Sequence, residues 1–181
     1  MSSVTRYHPA LVTLHWLLAF LLLGELLAGF LVLEEMPNTD PQKIQLLQFH
    51  MLGGTLICTL TLIRLIVRLR SDRPAAASTG NALLDRLATV NHYGLYVLVF
   101  AMVAAGYTTA FVADLPAIVF GGSGAPLPAD FEVFPSAELH GAIGALILLL
   151  VALHFVAALY HQIIRKDGLF SRMAFGRRVA G

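Results

Sequence analysis

Four long apolar runs alternate with short polar links along the chain, approximately Leu11–Leu33, Leu46–Leu69, Leu87–Phe111 and Leu139–Ile164. Crossing the hydrocarbon of a bilayer takes about 20 apolar residues, so each run predicts a spanning helix. Helices over residues 11–33, 46–69, 87–111 and 137–164 use almost the whole 181-residue chain and leave little for a soluble domain. The expected fold class is therefore all-α, an integral membrane four-helix bundle forming a single domain over 1–181. Composition agrees, since 57% of residues are hydrophobic and only 13% charged, whereas soluble domains are nearer a quarter charged. The first run, preceded by Arg6, has some likeness to a signal peptide; its length and the lack of a small-x-small cleavage site predict a retained helix.

Charge adds an orientation. The amino end, the Arg64–Arg86 stretch and the tail from Arg165 carry a net of +8, against −6 for the links Glu34–Gln45 and Val112–Glu138. By the positive-inside rule both termini and the middle link face the cytoplasm. The lone Cys58 sits within a span, so no disulfide framework is expected. The sequence has no cysteine pair for a metal, no phosphate-cradling glycine loop and no low-complexity tract, and no nucleic-acid partner is expected. Asp40 before Pro41, and Ser136 before Glu138, read as the starts of the second and fourth helices.

Histidines carry the candidate chemistry. His140 and His154 in the fourth helix are fourteen residues apart, close to four turns and about 21 Å, so they share a face. His161 follows seven residues later. Topology sets His50 level with His140 near the outer face, and His15 level with His154 near the inner one. An imidazole pair on facing helices, in apolar surroundings, is how a bundle grips a low-spin haem b. Two pairs at two depths predict two haems stacked across the membrane. Zinc is the rival, but each site would lack a nearby carboxylate or thiolate.

Other polar groups at membrane depth need a reason to be there. Glu25 costs about 3 kcal/mol on insertion scales and must face the bundle, as a satisfied interior acid or a proton-transfer group. Gly53 and Gly54 share the face of His50, and either admit a neighbouring helix or clear space for a flat ligand. Gly144, one turn beyond His140, joins Gly53 as a candidate cofactor-site glycine. Arg64 and Arg68 share one face near the inner end. Arg68 fits snorkelling to headgroups, and Arg64 fits either that or neutralising haem propionates. Lys43 is the only cation of the outer links, on the face of His50, and is the candidate guide for an anion.

Several short motifs recur in order: Tyr7-His8-Pro9 with Leu14-His15-Trp16, Phe49-His50 followed by Gly53, and Arg64-Leu65-x-x-Arg68. Leu139-His140-Gly141, Leu153-His154, and a tail of His161, Lys166-Asp167 and Arg172-Met173 complete the set. In that order and spacing the chain resembles, over essentially its whole length, the bacterial cytochrome b561 family, related to cytochrome b subunits of nickel-iron hydrogenases. The resemblance implies a multi-pass protein of the bacterial inner membrane with two haems b, ligated by His15 with His154 and by His50 with His140. It implies electron transfer between a periplasmic donor and the quinone pool. In the short members it implies a superoxide oxidase, with superoxide as donor and ubiquinone as co-substrate. His161 and Lys166, and less directly His92, are then the residues expected at the quinone. The acidic outer links would repel superoxide at long range, which keeps open an alternative: a membrane anchor passing electrons for a separate periplasmic redox partner. A histidine-lined transporter without haem is a third class.

Overall fold

A computed structural model describes residues 4–176 and is helical throughout its ordered elements. Four helices are long and apolar enough to cross a membrane: α1 (Pro9–Leu33), α2 (Pro41–Arg70), α3 (Ala82–Val112) and α5 (Pro135–Arg165). Two short helices complete the chain, α4 (Leu115–Val119) between the third and fourth spans and α6 (Leu169–Arg172) in the tail. Large apolar side chains point outward along the spans, with Phe20 78% and Phe111 84% exposed. Such a surface suits lipid, which gives apolar groups the medium that water denies them.

The spanning helices begin earlier than the apolar runs that predict them. α2 starts at Pro41, where the Asp40-Pro41 signal places it although its apolar run begins near 46, and α3 starts at Ala82 rather than near 87. Polar Gln42 and Lys43 in α2, and Asp85 and Arg86 in α3, precede the apolar stretches, but the caps are strong. Asp40 accepts from the Gln42 N–H at 2.9 Å, and Asn81 accepts from the Leu83 and Leu84 N–H groups at 2.9 and 3.4 Å. Ser136 is not the cap of α5. Pro135 already occupies the first helical position, where its fixed φ suits the helix, and the Ser136 hydroxyl pairs instead with Thr109 of α3 at 2.8 Å.

α1 and α5 both widen into π-helical turns, at Gly29–Leu33 and Tyr160–Arg165. Such turns are rare and often mark functional sites. α3 packs along α5 and α1 along α2, while α5 approaches α1 much more sparsely. Two helix pairs therefore face each other, with a seam filled at mid-depth by Leu18, Leu26, Ile57, Val99, Ile143 and Ile147.

The long link before α5 is ordered. α4 and Leu127 form a second apolar cluster with Ala110 and Ala113, resting on Ile44, Leu47 and Met51 of α2. This cluster closes the end of the bundle here called the cap end. The opposite, terminal end is closed by the tail. The Tyr7 N–H donates to the Arg172 carbonyl at 3.2 Å, and Trp16 Nε1 to that of Met173 at 2.9 Å. Arg172 Nη1 reaches the Ala75 carbonyl at 2.7 Å, and the Phe170 ring lies 5.8 Å from that of Trp16. Arg177 and Arg178, counted among the bases of the tail, lie outside the described residues.

Candidate functional site

At the cap end, α2 presents His50 and α5 presents His140, their ring centroids 5.9 Å apart. A small cavity between them is lined mainly by Leu26, Ile57, Val99, Met102 and the two rings, with Glu25 at its edge. His140 Nδ1 lies 2.8 Å from the Met102 carbonyl oxygen. A carbonyl only accepts, so Nδ1 carries the proton and Nε2 keeps its lone pair for a metal. His50 Nδ1 lies 2.8 Å from Glu25 Oε2. The Nδ1–H is not aimed along that line, so the contact is an ion-pair approach rather than an aligned hydrogen bond. Metal-ligating imidazoles are usually held this way through their second nitrogen.

Glycines shape this end by what they leave out. A Cβ at Gly106 would sit 3.1 Å from Cε1 and Nδ1 of His140. A Cβ at Gly53 would overlap the carboxylate of Glu25, so the clearance at Gly53 admits an acid from α1. Gly144 makes room for the Phe30 ring of the π-turn, whose Cζ would lie 3.3 Å from a Cβ there. Lys43 is only 5% exposed, and its Nζ donates to the Met36 carbonyl at 2.5 Å. It sits within the cap, not at the surface. The surrounding acids Glu34, Glu35, Asp114, Asp130, Glu132 and Glu138 are exposed.

The terminal end gathers three histidines. The His154 ring lies 6.1 Å from His15 and 5.1 Å from His92, and His15 also meets Trp16 at 5.2 Å. Among the described residues neither His15 nor His154 has a side-chain hydrogen-bond partner. Arg64 is half-buried here, bonded through Nη1 to the Tyr96 hydroxyl and lying 5.4 Å from that ring, while its Nε has no partner. Arg64 lies within electrostatic range of His15, His92 and His154, and Arg68 of His92.

Below this group, His161 is 7% exposed at the start of the π-turn, and its Nδ1 donates to Asp167 at 2.5 Å. That bond holds the Asp167 carboxyl below its ordinary range, helped by the Leu169 N–H. Lys166 follows in a left-handed conformation and lines a shallow recess with Gln162, Ile163 and Gly168.

The donor set suits one kind of metal group. Two imidazoles on opposite sides of one metal, each about 2.0–2.1 Å from it, put their ring centres roughly 6.4 Å apart. The pairs at 5.9 and 6.1 Å come within about half an ångström of that span, and the 5.1 Å pair of His92 and His154 is well short of it. Among the described residues no three of His, Cys, Asp and Glu converge as a metal cluster. A two-imidazole site is incomplete for zinc. It completes an iron whose other four ligands come from a porphyrin.

Glu25 beside His50 is the partner that sequence reasoning left unassigned, and it corrects the expectation that neither histidine pair has a carboxylate nearby. A signal was available: Glu25 lies about 15 Å beyond His15 on α1, within roughly one turn of the level of His140.

The family model described as prokaryotic cytochrome b561 matches residues 6–176. Among curated proteins, the chain is 27% identical over 179 residues to "Cytochrome b561 homolog 2" of Escherichia coli (strain K12), covering 95% of this chain and 93% of that protein. It is 24% identical over 175 residues to "Probable superoxide oxidase CybB" of Yersinia pestis, covering 93% and 95% respectively.

Proposed function

The chain belongs to the prokaryotic cytochrome b561 family, haem b proteins of membrane electron transfer, and from that premise we propose that it oxidises superoxide and reduces ubiquinone across the bacterial inner membrane. In this reading it holds two haems, one between His50 and His140 and one between His15 and His154, with both termini cytoplasmic and the cap periplasmic. The observation that carries it is the pair of two-imidazole sites at the two ends of α5, at 5.9 and 6.1 Å. The name borne by the Yersinia relative supplies the superoxide half of the proposal.

When bound, haem b would supply a one-electron carrier at each end, and ligation by two histidines would favour electron transfer over oxygen binding. The balance is two superoxide anions, one quinone and two protons giving two dioxygen molecules and one quinol. His50 and His140 would hold the periplasmic carrier beneath the cap. His15 and His154 hold the cytoplasmic one, where the orphaned Nε and free charge of Arg64 can take a propionate. His161, with Nδ1 donating to the partly exposed Asp167, links a buried position to water and can deliver protons to the quinone beside Lys166. His92 lies against His154, so its place at the quinone would be from the haem side.

The test is a visible spectrum of the purified protein under alternating superoxide and ubiquinone. Bands of two low-spin haems should reduce with the first and reoxidise with the second. Haem that superoxide leaves oxidised sinks the activity. A second reading is favoured by the exposed acids of the cap and the burial of Lys43. In it the chain anchors a soluble periplasmic redox protein and passes on its electrons. Co-purification of such a subunit, with haem reduction by it and none by superoxide, selects that reading.

A further inference from the structure

Glu25 has no part in the electron path described above, yet the bundle is built around it. Its carboxylate crosses from α1 to reach Nδ1 of His50 on α2 at 2.8 Å, both side chains 23% exposed. Gly53, one turn along α2, supplies the notch it occupies, since a Cβ there would collide with the carboxylate. Leu22, Leu26 and Ile57 line the same cavity, so the acid stands in an apolar setting where charge interactions are strong. The facing ligand, His140, has only a neutral carbonyl in the equivalent role.

At the other end of α2 the sign reverses. Arg64 lies beside the His15 and His154 pair, held by Tyr96 and with Nε unpaired. An anionic partner on the outer nitrogen of a ligating imidazole makes it a stronger donor, which favours the more oxidised metal. A half-buried guanidinium nearby favours the more reduced one. One acid, level with Gly53, and one base, eleven residues further along α2 and so about 16 Å away along the bundle, therefore bias the two sites in opposite directions.

We infer that Glu25 is a positioning residue for His50, and that through this contact it holds the cap-end haem at a lower reduction potential than the terminal-end haem, so that electrons run downhill from cap to termini. The inference rests on the reading that His50 and His140 hold a haem, and it adds a direction that the ligand positions alone do not give.

The experiment is an optical redox titration of the full-length protein with both haems bound, in detergent, alongside low-temperature electron paramagnetic resonance. The cap-end haem is identified as the one missing from His140→Ala. In the unaltered protein the cap-end midpoint should be the lower. Glu25→Gln should raise it by about tenfold in the reduced-to-oxidised ratio, which is 59 mV for one electron, with the terminal-end midpoint unmoved. Its ferric resonance should shift as the Nδ1 partner changes. Gly53→Ala, which displaces the carboxylate, should move the potential in the same direction, and Glu25→Asp should recover part of the shift.

Two haems with unchanged potentials in both Glu25→Gln and Gly53→Ala overturn the inference, as does a shift confined to the terminal-end haem. If Glu25→Gln loses the cap-end haem, Glu25→Asp decides. A displaced potential there supports the role, and an unaltered one removes it. Unaltered protein that binds one haem or none defeats the two-haem reading itself, a result separate from any effect of Glu25.

Discussion

The two ends of the bundle offer the same ligand pair in opposite settings. At the cap end the His140 Nδ1 bonds to the Met102 carbonyl, the His50 Nδ1 has the Glu25 carboxylate 2.8 Å away as an ion-pair neighbour, and the rings face a small apolar cavity. At the terminal end neither His15 nor His154 is tied in this way among the described residues; a third histidine crowds in, and the nearby charge is Arg64. Helical spacing alone duplicates a ligand pair, because fourteen residues return α5 to the same face. It cannot make the copies differ. The difference comes from single residues on other helices, and under the proposed reading it would give two like sites unlike affinities and potentials.

The largest effects should come from the ligands. His140→Ala should halve the haem content and leave the terminal-end spectrum intact. His15→Ala should do the reverse, as measured by haem-to-protein ratio and reduced spectra. His92→Ala sharpens the comparison, since its ring is closer to His154 than that of His15. It should keep both haems. Loss of the terminal-end haem from His92→Ala, with retention in His15→Ala, would move the ligand to His92 and break the symmetry of the pairs.

Next in size is Arg64→Leu. Removing the half-buried cation takes away the expected propionate partner and leaves the Tyr96 hydroxyl without its donor. Supporting groups of this kind typically contribute 10–100-fold in affinity. Haem release from the terminal end should quicken by roughly tenfold, followed by transfer to an apo-acceptor protein, while release from the cap end stays unchanged. Equal loss from both ends would mean that Arg64 supports the bundle as a whole.

What could be read from the chain alone follows from which constraints are one-dimensional. The membrane demands apolar runs of a given length, and helix geometry gives each histidine a depth. Four spans and four level-matched histidines were therefore legible. Helix ends were less so, because Gln42 and Lys43 or Asp85 and Arg86 are polar yet remain helical under the Asp40 and Asn81 caps. Ser136 carried a capping signal that Pro135 pre-empted by one position. Contacts that need the relative rotation of two helices were the hardest. Gly53 could have cleared a cofactor or a neighbour, and only three dimensions set it against Glu25. The docking of the tail was not legible, since Tyr7 with Arg172 and Trp16 with Met173 join through backbone carbonyls, which every residue carries alike.

A smaller effect should appear at the cap end in Gly106→Ala. The added carbon would meet His140 at 3.1 Å, so the ring must yield by a few tenths of an ångström. Its bond to the Met102 carbonyl then weakens, and a hydrogen bond of this kind contributes about 1 kcal/mol. Haem release from the cap end should rise by roughly fivefold, with the terminal end unaffected. An unchanged rate would show that the ring moves freely in its slot.

The smallest effect concerns the tail, which has no counterpart at the cap end. Asp167 accepts from His161 and from the Leu169 N–H, and these bonds hold its carboxyl below the ordinary value of about 3.9. A depressed carboxyl stabilises the folded tail fully above that ordinary value, and the contribution is lost as pH falls through the lower folded one. Asp167 is partly exposed, so solvent screening keeps the gain small. Trp16, whose indole bonds to Met173 and whose ring meets Phe170, reports the position of the tail. Its fluorescence should be steady from neutral pH down to about 4 and change below that. In Asp167→Asn that acid transition should vanish, and amide exchange in residues 168–174 at neutral pH should quicken by about fivefold or less. The cap helix α4, which carries no such pair, should show neither change. An acid transition that persists in Asp167→Asn would assign it to another carboxyl and leave the His161 contact without a role in holding the tail.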